Sequence, residues 1–281
     1  MTRAAAFILW LFAPWWAQGA ELPQTHHFPS RDGGTQLVGY LFEPQTPGPH
    51  PAIVLLHGRS GPYSSLAKGR SDAGALSMRH RMWGRYWAER GYVALLVDSF
   101  GPRGYPQGFP KHSYQERPSE VSEQMVRPLD AYGALDFLRT RDDVIHDRIG
   151  VQGWSNGGMT VLATMAPKPP GLENPTPVSG FRAALALYPS CRIPSREPGY
   201  RPYAPMLILV ASEDDEVSPA VCQSFAVVLK AKGADMDLVT YDGAQHSYDD
   251  PGKTKQSHEP NRRAMQDSLI RSEQFFARYL R

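Results

Sequence analysis

The stretch RIGVQGWSNGGMT, residues 148–160, contains the pattern Gly-x-Ser-x-Gly around Ser155. An apolar run precedes the serine and a helix-compatible run follows it, which is the strand-turn-helix setting of a nucleophile elbow. A turn that lifts a serine hydroxyl off a sheet crowds the backbone two residues before and after it, so glycine is needed at both places. The stretch therefore predicts that Ser155 is a nucleophile on a strained turn. The alternative is a glycine-rich turn that serves only packing.

Short apolar runs alternate with helix-compatible stretches along the rest of the chain. Runs of such uniform apolar character are typical of parallel strands that are covered on both faces. Their alternation with helices predicts an α/β fold with a mostly parallel sheet. We find no internal repeat and no linker, so residues 21–281 are predicted to form a single domain. The predicted strands are 52–58, 92–100, 149–155, 183–190, 206–212 and 236–243, and the predicted helices are 80–90, 123–140, 158–166, 219–232 and 260–280.

The N-terminal residues have the layout of a secretory signal peptide. Arg3 is followed by an apolar stretch over residues 4–17 and then by small residues. This stretch is shorter than the roughly 20 residues that a membrane-spanning helix needs, and Pro14 interrupts it. We therefore expect residues 1–20 to be a removed signal peptide and the mature protein to be periplasmic or secreted, without a stable membrane span. The alternative is an uncleaved anchor or a buried first helix.

Composition and charge exclude several other classes of protein. Of the 281 residues 41% are hydrophobic and 21% are charged, which is typical of a globular chain. The formal net charge is only +2, and the lysines and arginines are spread along the sequence. We therefore do not expect a nucleic-acid partner.

The chain has two cysteines, Cys191 and Cys222. An oxidising compartment permits the two to form a disulfide. The alternative is a pair of free, buried thiols. Because two cysteines without a cluster of histidines do not make a structural zinc site, no metal is expected there.

The hydroxyl of a serine is a poor nucleophile unless a base activates it and an acid orients that base. In this architecture the acid follows the serine in the sequence and the histidine follows the acid, each on a loop after a later strand. His246 directly follows the last predicted strand, whereas His258 lies farther on in a polar loop. Four consecutive carboxylates, residues 213–216, follow the preceding strand. We favour Asp214 as the acid, with Asp215 as the second choice.

The tetrahedral intermediate of acyl transfer also needs hydrogen-bond donors for its oxyanion. The backbone N–H of Asn156, next to the nucleophile, is predicted to supply one. The backbone N–H of Arg59, in the loop after the first predicted strand, is predicted to supply the other. His57 and Gly58 are expected to shape that loop. The guanidinium of Arg59 or Arg103 would suit a substrate carboxylate, and the alternative for either is a structural ion pair.

Three loops are richer in proline and glycine than the rest of the chain. Two of them directly follow predicted strands, and loops beyond the carboxyl ends of such strands are where these sheets bind ligands. We predict that they form pocket walls; the alternative is that they are surface loops without a role in binding. The three loops are residues 101–120, 167–180 and 192–203.

Taken together, these motifs resemble the dienelactone hydrolase family, whose members have the α/β-hydrolase fold. The resemblance covers residues from about 35 to 280 and rests on the stretches AIVLLHGRSG, VDSFGPRG, RIGVQGWSNGG, SEDDEVSP and GAQHSYDDP. It implies Ser155 as nucleophile, Asp214 as acid and His246 as base. It also supports a Cys191–Cys222 disulfide, because exported relatives pair a cysteine after YPS with one in the helix after the acid loop.

One departure from that family concerns the nucleophile itself, because the founding members carry cysteine where this chain has Ser155. A thiolate and an activated hydroxyl are generated differently and attack different groups well. We therefore predict a serine hydrolase for a small carboxylic ester or lactone, without a metal or organic cofactor. A serine peptidase or an acyltransferase on the same fold is one alternative. A non-catalytic binding module is another, but it predicts a broken triad, whereas all three positions are filled here.

Overall fold

The computed structural model describes residues 21–281, so the predicted signal peptide lies outside the described residues. The strands are β1 Gln24–Pro29, β2 Gln36–Phe42, β3 His50–Leu56, β4 Val93–Asp98, β5 Val144–Trp154, β6 Ala183–Leu187, β7 Met206–Ala211 and β8 Met236–Tyr241. The helices are α1 Met78–Glu89, α2 Arg127–Arg139, α3 Asn156–Thr164, α4 Pro219–Ala231, α5 Lys253–Gln256 and α6 Glu259–Leu280. Within the described residues the strands form one sheet in the order β1-β2-β4-β3-β5-β6-β7-β8.

The sheet is parallel from β3 to β8 and antiparallel at β1 and β2. The six parallel strands are the six that the sequence predicts. Their bounds lie within three residues of the expected ones, except that β5 begins five residues earlier, at Val144. The two antiparallel strands were not predicted. β1 lies at the edge of the sheet and is mostly exposed, so its sequence QTHHFP lacks the apolar run that marks the others. In β2 Gly39 interrupts the apolar run.

Helices cover both faces of the sheet, as the apolar strands predict. Alternate residues of a strand point to opposite faces. In β3, Val54 belongs to the apolar cluster that includes side chains of α2, α3 and α4, whereas its neighbour Leu55 belongs to the cluster that includes α1 and α6. Both side chains are fully buried, and each such burial is worth about 1.5–3 kcal/mol. The fold is thus an α/β sheet with helices on both faces, and the loops lie at the carboxyl ends of its parallel strands.

All five predicted helices are present. A capping side chain marks the start of α1, and a proline lies in the first turn of α2. α1 begins at Met78 because the Ser77 side chain accepts a hydrogen bond from the backbone N–H of His80, which caps the helix. α2 begins later than predicted, at Arg127, with Pro128 in its first turn, where proline is well tolerated. The short helix α5 was not predicted.

No helix within residues 21–281 combines the length and the apolar character that crossing a membrane requires.

The structure joins Cys191 to Cys222, as the sequence analysis predicts. The bond ties the loop after β6 to α4 across a sequence separation of 31 residues. Such a cross-link restricts the unfolded chain, so we expect the Cys191→Ala/Cys222→Ala variant to lose about 3–4 kcal/mol of unfolding free energy. Urea unfolding followed by tryptophan fluorescence measures this loss. Equal urea midpoints for the oxidised wild type and the variant would contradict the expected stabilisation.

Candidate active site

Ser155 occupies the one-residue turn between β5 and α3, with φ 53° and ψ −113°. This backbone conformation is strained for any residue other than glycine. A Cβ on Gly153 would lie 2.2 Å from the carbonyl oxygen of Gly157, and a Cβ on Gly157 would lie 1.9 Å from that of Leu56. Neither position can hold a side chain without moving the backbone. The structure therefore gives both glycines the steric role that the sequence pattern predicts.

The imidazole of His246 lies between Ser155 and Asp214. Its Nε2 is 2.9 Å from Ser155 Oγ, and its Nδ1 is 2.7 Å from Asp214 Oδ2. The other oxygen of Asp214 accepts the backbone N–H groups of Glu216 and Val217, at 2.8 and 2.9 Å, which fixes the carboxylate. With Nδ1–H donated to Asp214, Nε2 is left to accept a proton from the serine hydroxyl. This arrangement can activate Ser155 as a nucleophile.

The structure distinguishes between the two acids that the sequence leaves open. The side chain of Asp214 is 2% exposed and faces the imidazole. That of Asp215 is 72% exposed and forms an ion pair with Lys111 at 2.7 Å. His258, the other histidine considered, contacts the carbonyl oxygen of Gly243 instead. Of these two acids, Asp214 is therefore the one that lies within hydrogen-bond distance of the imidazole.

A buried network behind His246 was not predicted from the sequence. The ring of Tyr188 contacts the imidazole edge to face, with centroids 4.8 Å apart. Its hydroxyl donates to Asp249, which also accepts the indole N–H of Trp83 at 2.8 Å. Burial raises the pKa of Tyr188 well above its ordinary value, so the hydroxyl keeps its proton and remains a donor. The network fixes the aromatic wall against which His246 rests.

The two predicted oxyanion donors line the same cavity as Ser155. Asn156 is the first residue of α3, where a backbone N–H has no acceptor within the helix. Arg59 lies in the loop after β3. Within residues 21–281, no backbone carbonyl accepts a hydrogen bond from the Arg59 N–H. The Arg59 carbonyl oxygen accepts the N–H of Phe109 at 2.8 Å.

The loop that carries Arg59 is supported from below by two buried side chains. The imidazole of His57 is fully buried, with Nδ1 2.7 Å from the carbonyl oxygen of Gly58, and its Nε2 accepts the backbone N–H of Ser99. Burial holds the pKa of His57 well below its ordinary value, so the ring is neutral. Arg127, which the sequence analysis missed, donates to the carbonyl oxygen of His57 at 2.7 Å. Burial lowers the pKa of Arg127 to about 10, which leaves it cationic at neutral pH.

The two arginines considered for a substrate carboxylate are both in ion pairs within the protein. Arg103 is buried and donates to both oxygens of Asp130, at 2.9 and 2.7 Å, and to Asp32 at 2.6 Å. Arg103 is therefore in a structural ion pair, which was the alternative to binding a substrate carboxylate. Arg59 donates to both oxygens of Glu216, at 3.1 and 3.2 Å.

A cavity of about 510 Å³ opens above Ser155. Its walls include residues of the loop 101–120, of the loop after β6 and of the first turns of α4. Two of the three predicted wall loops, 101–120 and 192–203, therefore contribute to it, whereas no residue of 167–180 lines it. Within residues 21–281, no group of three or more His, Cys, Asp or Glu side chains is arranged to hold a metal ion.

A mostly parallel sheet covered on both faces, with a serine at a strand-to-helix elbow and the acid and histidine on loops after later strands, defines the α/β-hydrolase fold. The sequence model of the dienelactone hydrolase family matches residues 37–280, and the chain belongs to this family. This membership confirms the resemblance inferred from the motifs and supports the prediction of an ester-acting hydrolase.

Individual relatives share less than a third of their residues with this chain over the parts that match. The "Putative hydrolase YtaP" of Bacillus subtilis (strain 168) is 29% identical over 147 residues, which are 48% of this chain and 46% of that protein, so the chain spans about half the length of the curated relative it matches. A "Putative Dienelactone Hydrolase" structure from Klebsiella pneumoniae is 17% identical, with a TM-score of 0.67 over 92% of this chain and 100% of that one. A propionate-bound esterase from Thermogutta terrifontis is 20% identical, with a TM-score of 0.60 over 91% and 94%. At such identities the two structures bear on the fold alone.

Proposed function

We propose that this protein is a serine hydrolase that cleaves a small carboxylic ester or lactone through an acyl-enzyme at Ser155. The observation that carries the proposal is the chain of hydrogen bonds from Ser155 through His246 to Asp214, at 2.9 and 2.7 Å, at the base of a cavity. Membership of the dienelactone hydrolase family supports the same class of reaction.

The reaction begins when Ser155 Oγ bonds to the carbonyl carbon and its proton moves to His246 Nε2. The electron pair of the C=O double bond moves to the oxygen, which the backbone N–H groups of Asn156 and Arg59 stabilise. As the tetrahedral intermediate collapses, the bond to the leaving oxygen breaks and that oxygen takes the proton from the imidazolium. Water then attacks the acyl carbon while His246 Nε2 takes its proton. The bond to Ser155 Oγ breaks as the second intermediate collapses, Oγ takes the proton back from the imidazolium, and the acid is released. Asp214 holds the ring and stabilises its charged form throughout.

The cavity supports a small substrate with an apolar part. A volume of about 510 Å³ lies within the usual range for sites that bind small molecules. Met159, Ile193 and Val221 line it together with Ser155. These side chains would pack against the acyl or alcohol group of the ester.

We also propose that residues 21–281 act as a single domain outside the cytoplasm, after removal of residues 1–20. The disulfide between Cys191 and Cys222 supports export, because such bonds persist mainly in oxidising compartments.

Labelling with a fluorophosphonate tests the proposal, since this probe reacts with activated serines. Intact-mass spectrometry of the folded wild type is expected to show one adduct, and peptide mapping is expected to place it on Ser155. The His246→Ala variant should remain unlabelled because its serine has no base. Absence of an adduct on folded wild type would contradict the proposal and favour a binding module.

A substrate panel separates the proposed activity from the peptidase alternative. We expect turnover of p-nitrophenyl esters and of small lactones, and little turnover of peptide p-nitroanilides. Faster cleavage of the anilides than of the esters would favour a peptidase on this fold.

A further inference from the structure

Glu216 places a second carboxylate beside His246. Its Oε2 lies 3.8 Å from His246 Nε2, the nitrogen that is also 2.9 Å from Ser155 Oγ. The Glu216 side chain is 16% exposed and lines the cavity above the serine. A separation of 3.8 Å is too long for a hydrogen bond, but two charges at this distance still interact strongly when water is scarce.

Arg59 holds Glu216 at that distance. Its Nε and Nη2 donate to the two carboxylate oxygens, which is the two-pronged arrangement that a guanidinium forms with a carboxylate. Lys111 Nζ lies 3.8 Å from the outer oxygen. Although burial raises the pKa of Glu216, the hydrogen bond from Arg59 and the charge of His246 hold it below its ordinary value. Glu216 thus stays ionised near the imidazole, yet it is not free to take the proton on Nε2.

Within residues 21–281, the carboxylates found within 4 Å of the ring nitrogens of His246 are those of Asp214 and Glu216. Asp214 contacts the opposite nitrogen, Nδ1. Tyr188 lies against the ring but is neutral. The buried carboxylate of Asp249 accepts a hydrogen bond from the Tyr188 hydroxyl and forms an ion pair with Arg79 at 3.5 Å. Asp215 is on the same loop as Glu216 but extends into solvent, where its weaker charge interaction with His246 is screened.

We propose that Glu216 stabilises the imidazolium form of His246 during the reaction and that Arg59 limits this effect. The inference rests on the proposed function. When Ser155 Oγ bonds to the carbonyl carbon and passes its proton to Nε2, positive charge develops on the ring 3.8 Å from the carboxylate. Substrate in the cavity excludes water, so this attraction is stronger in the complex than in the free enzyme. In the free enzyme the same attraction favours a proton on the imidazole, so a change at Glu216 is expected to move the pH profile of activity.

Two single variants test the proposal because they shift the pH profile in opposite directions. Glu216→Gln removes a negative charge 3.8 Å from the imidazole, so the acidic limb of kcat/KM should move to lower pH by about 1 unit. The kcat of this variant should fall by about tenfold. Arg59→Gln keeps the backbone N–H at position 59 but removes the positive charge that pairs with Glu216. The acidic limb should therefore move to higher pH. The double variant restores the charge balance, and its limb should return near that of the wild type.

Asp215→Asn is the matched control. It removes the same charge from the neighbouring position of the loop, but the side chain is 72% exposed. Its acidic limb should stay close to that of the wild type. Thermal unfolding of every variant checks that the fold is retained.

The direction of the two shifts decides the outcome. If Glu216→Gln leaves the acidic limb unmoved, or shifts it in the same direction as Arg59→Gln, Glu216 does not act through the charge of His246 and the inference is overturned. Failure of the proposed function looks different: the wild type itself would neither hydrolyse esters nor form a fluorophosphonate adduct, and both proposals would fall.

Discussion

Replacing Ser155 with alanine is expected to reduce kcat for ester hydrolysis by about six orders of magnitude while leaving the protein folded. The loss has this size because in the proposed mechanism the hydroxyl forms the acyl-enzyme. Without it, the oxyanion donors and substrate binding would be left to assist the attack of water. Measurement of p-nitrophenyl acetate hydrolysis, with the uncatalysed rate subtracted, gives the change in kcat. Circular dichroism and the thermal midpoint report on the fold.

Ser190→Ala provides a matched control for that experiment. Ser190 lines the same cavity, but Ser155 is the serine that contacts His246 Nε2. The control should keep kcat close to the wild-type value, because it removes a hydroxyl from the cavity without touching the hydrogen-bond chain. Comparable activity in Ser155→Ala and the wild type would refute the assignment of the nucleophile.

Replacing Asp214 with asparagine is expected to lower kcat by about four orders of magnitude. An amide in this place can donate a hydrogen bond to Nδ1, which favours the imidazole tautomer with its proton on Nε2. That tautomer cannot accept the serine proton, and the asparagine carries no charge to stabilise the imidazolium. The two backbone N–H groups that now bind Oδ1 can still bind the amide oxygen, so the loop should keep its shape.

Asp215→Asn separates the two acids of the loop. Its carboxylate pairs with Lys111 on the surface, so we expect almost unchanged steady-state kinetics. Equal losses in the two variants, or a larger loss at position 215, would mean that the loop rearranges in solution and that Asp214 is not the acid.

Much of the fold could be predicted because its central strands are buried on both faces. Burial on both sides requires apolar residues throughout, and such runs can be recognised without knowledge of their neighbours. β1 could not be found in this way, since an exposed edge strand with the sequence QTHHFP has no such requirement. The start of α2 was misjudged because residues 122–126 form a separate turn, in which the Val126 N–H donates to the carbonyl oxygen of Ser122, and the helix begins only at Arg127.

The residues around the triad were harder to predict than the triad itself. Glu216, Tyr188 and Asp249 have no motif of their own, and Asp249 cannot be told from the neighbouring Asp250 by sequence. Their positions depend on contacts between loops that follow different strands, such as the 3.8 Å separation between Glu216 and His246. Arg127 lies in a helix far from the elbow in sequence, yet it supports the loop of His57.

By itself, the sequence determined the parallel strands, the elbow at Ser155, the order of acid and histidine, and the family, because each depends on local pattern and chain order. Only the tertiary structure shows that Asp214 rather than Asp215 faces the imidazole, that Arg103 is in an internal ion pair and that Glu216 lies near His246. These outcomes depend on which way a side chain turns and what it meets there. Adjacent carboxylates are chemically alike, so burial and a partner distant in the chain must distinguish them.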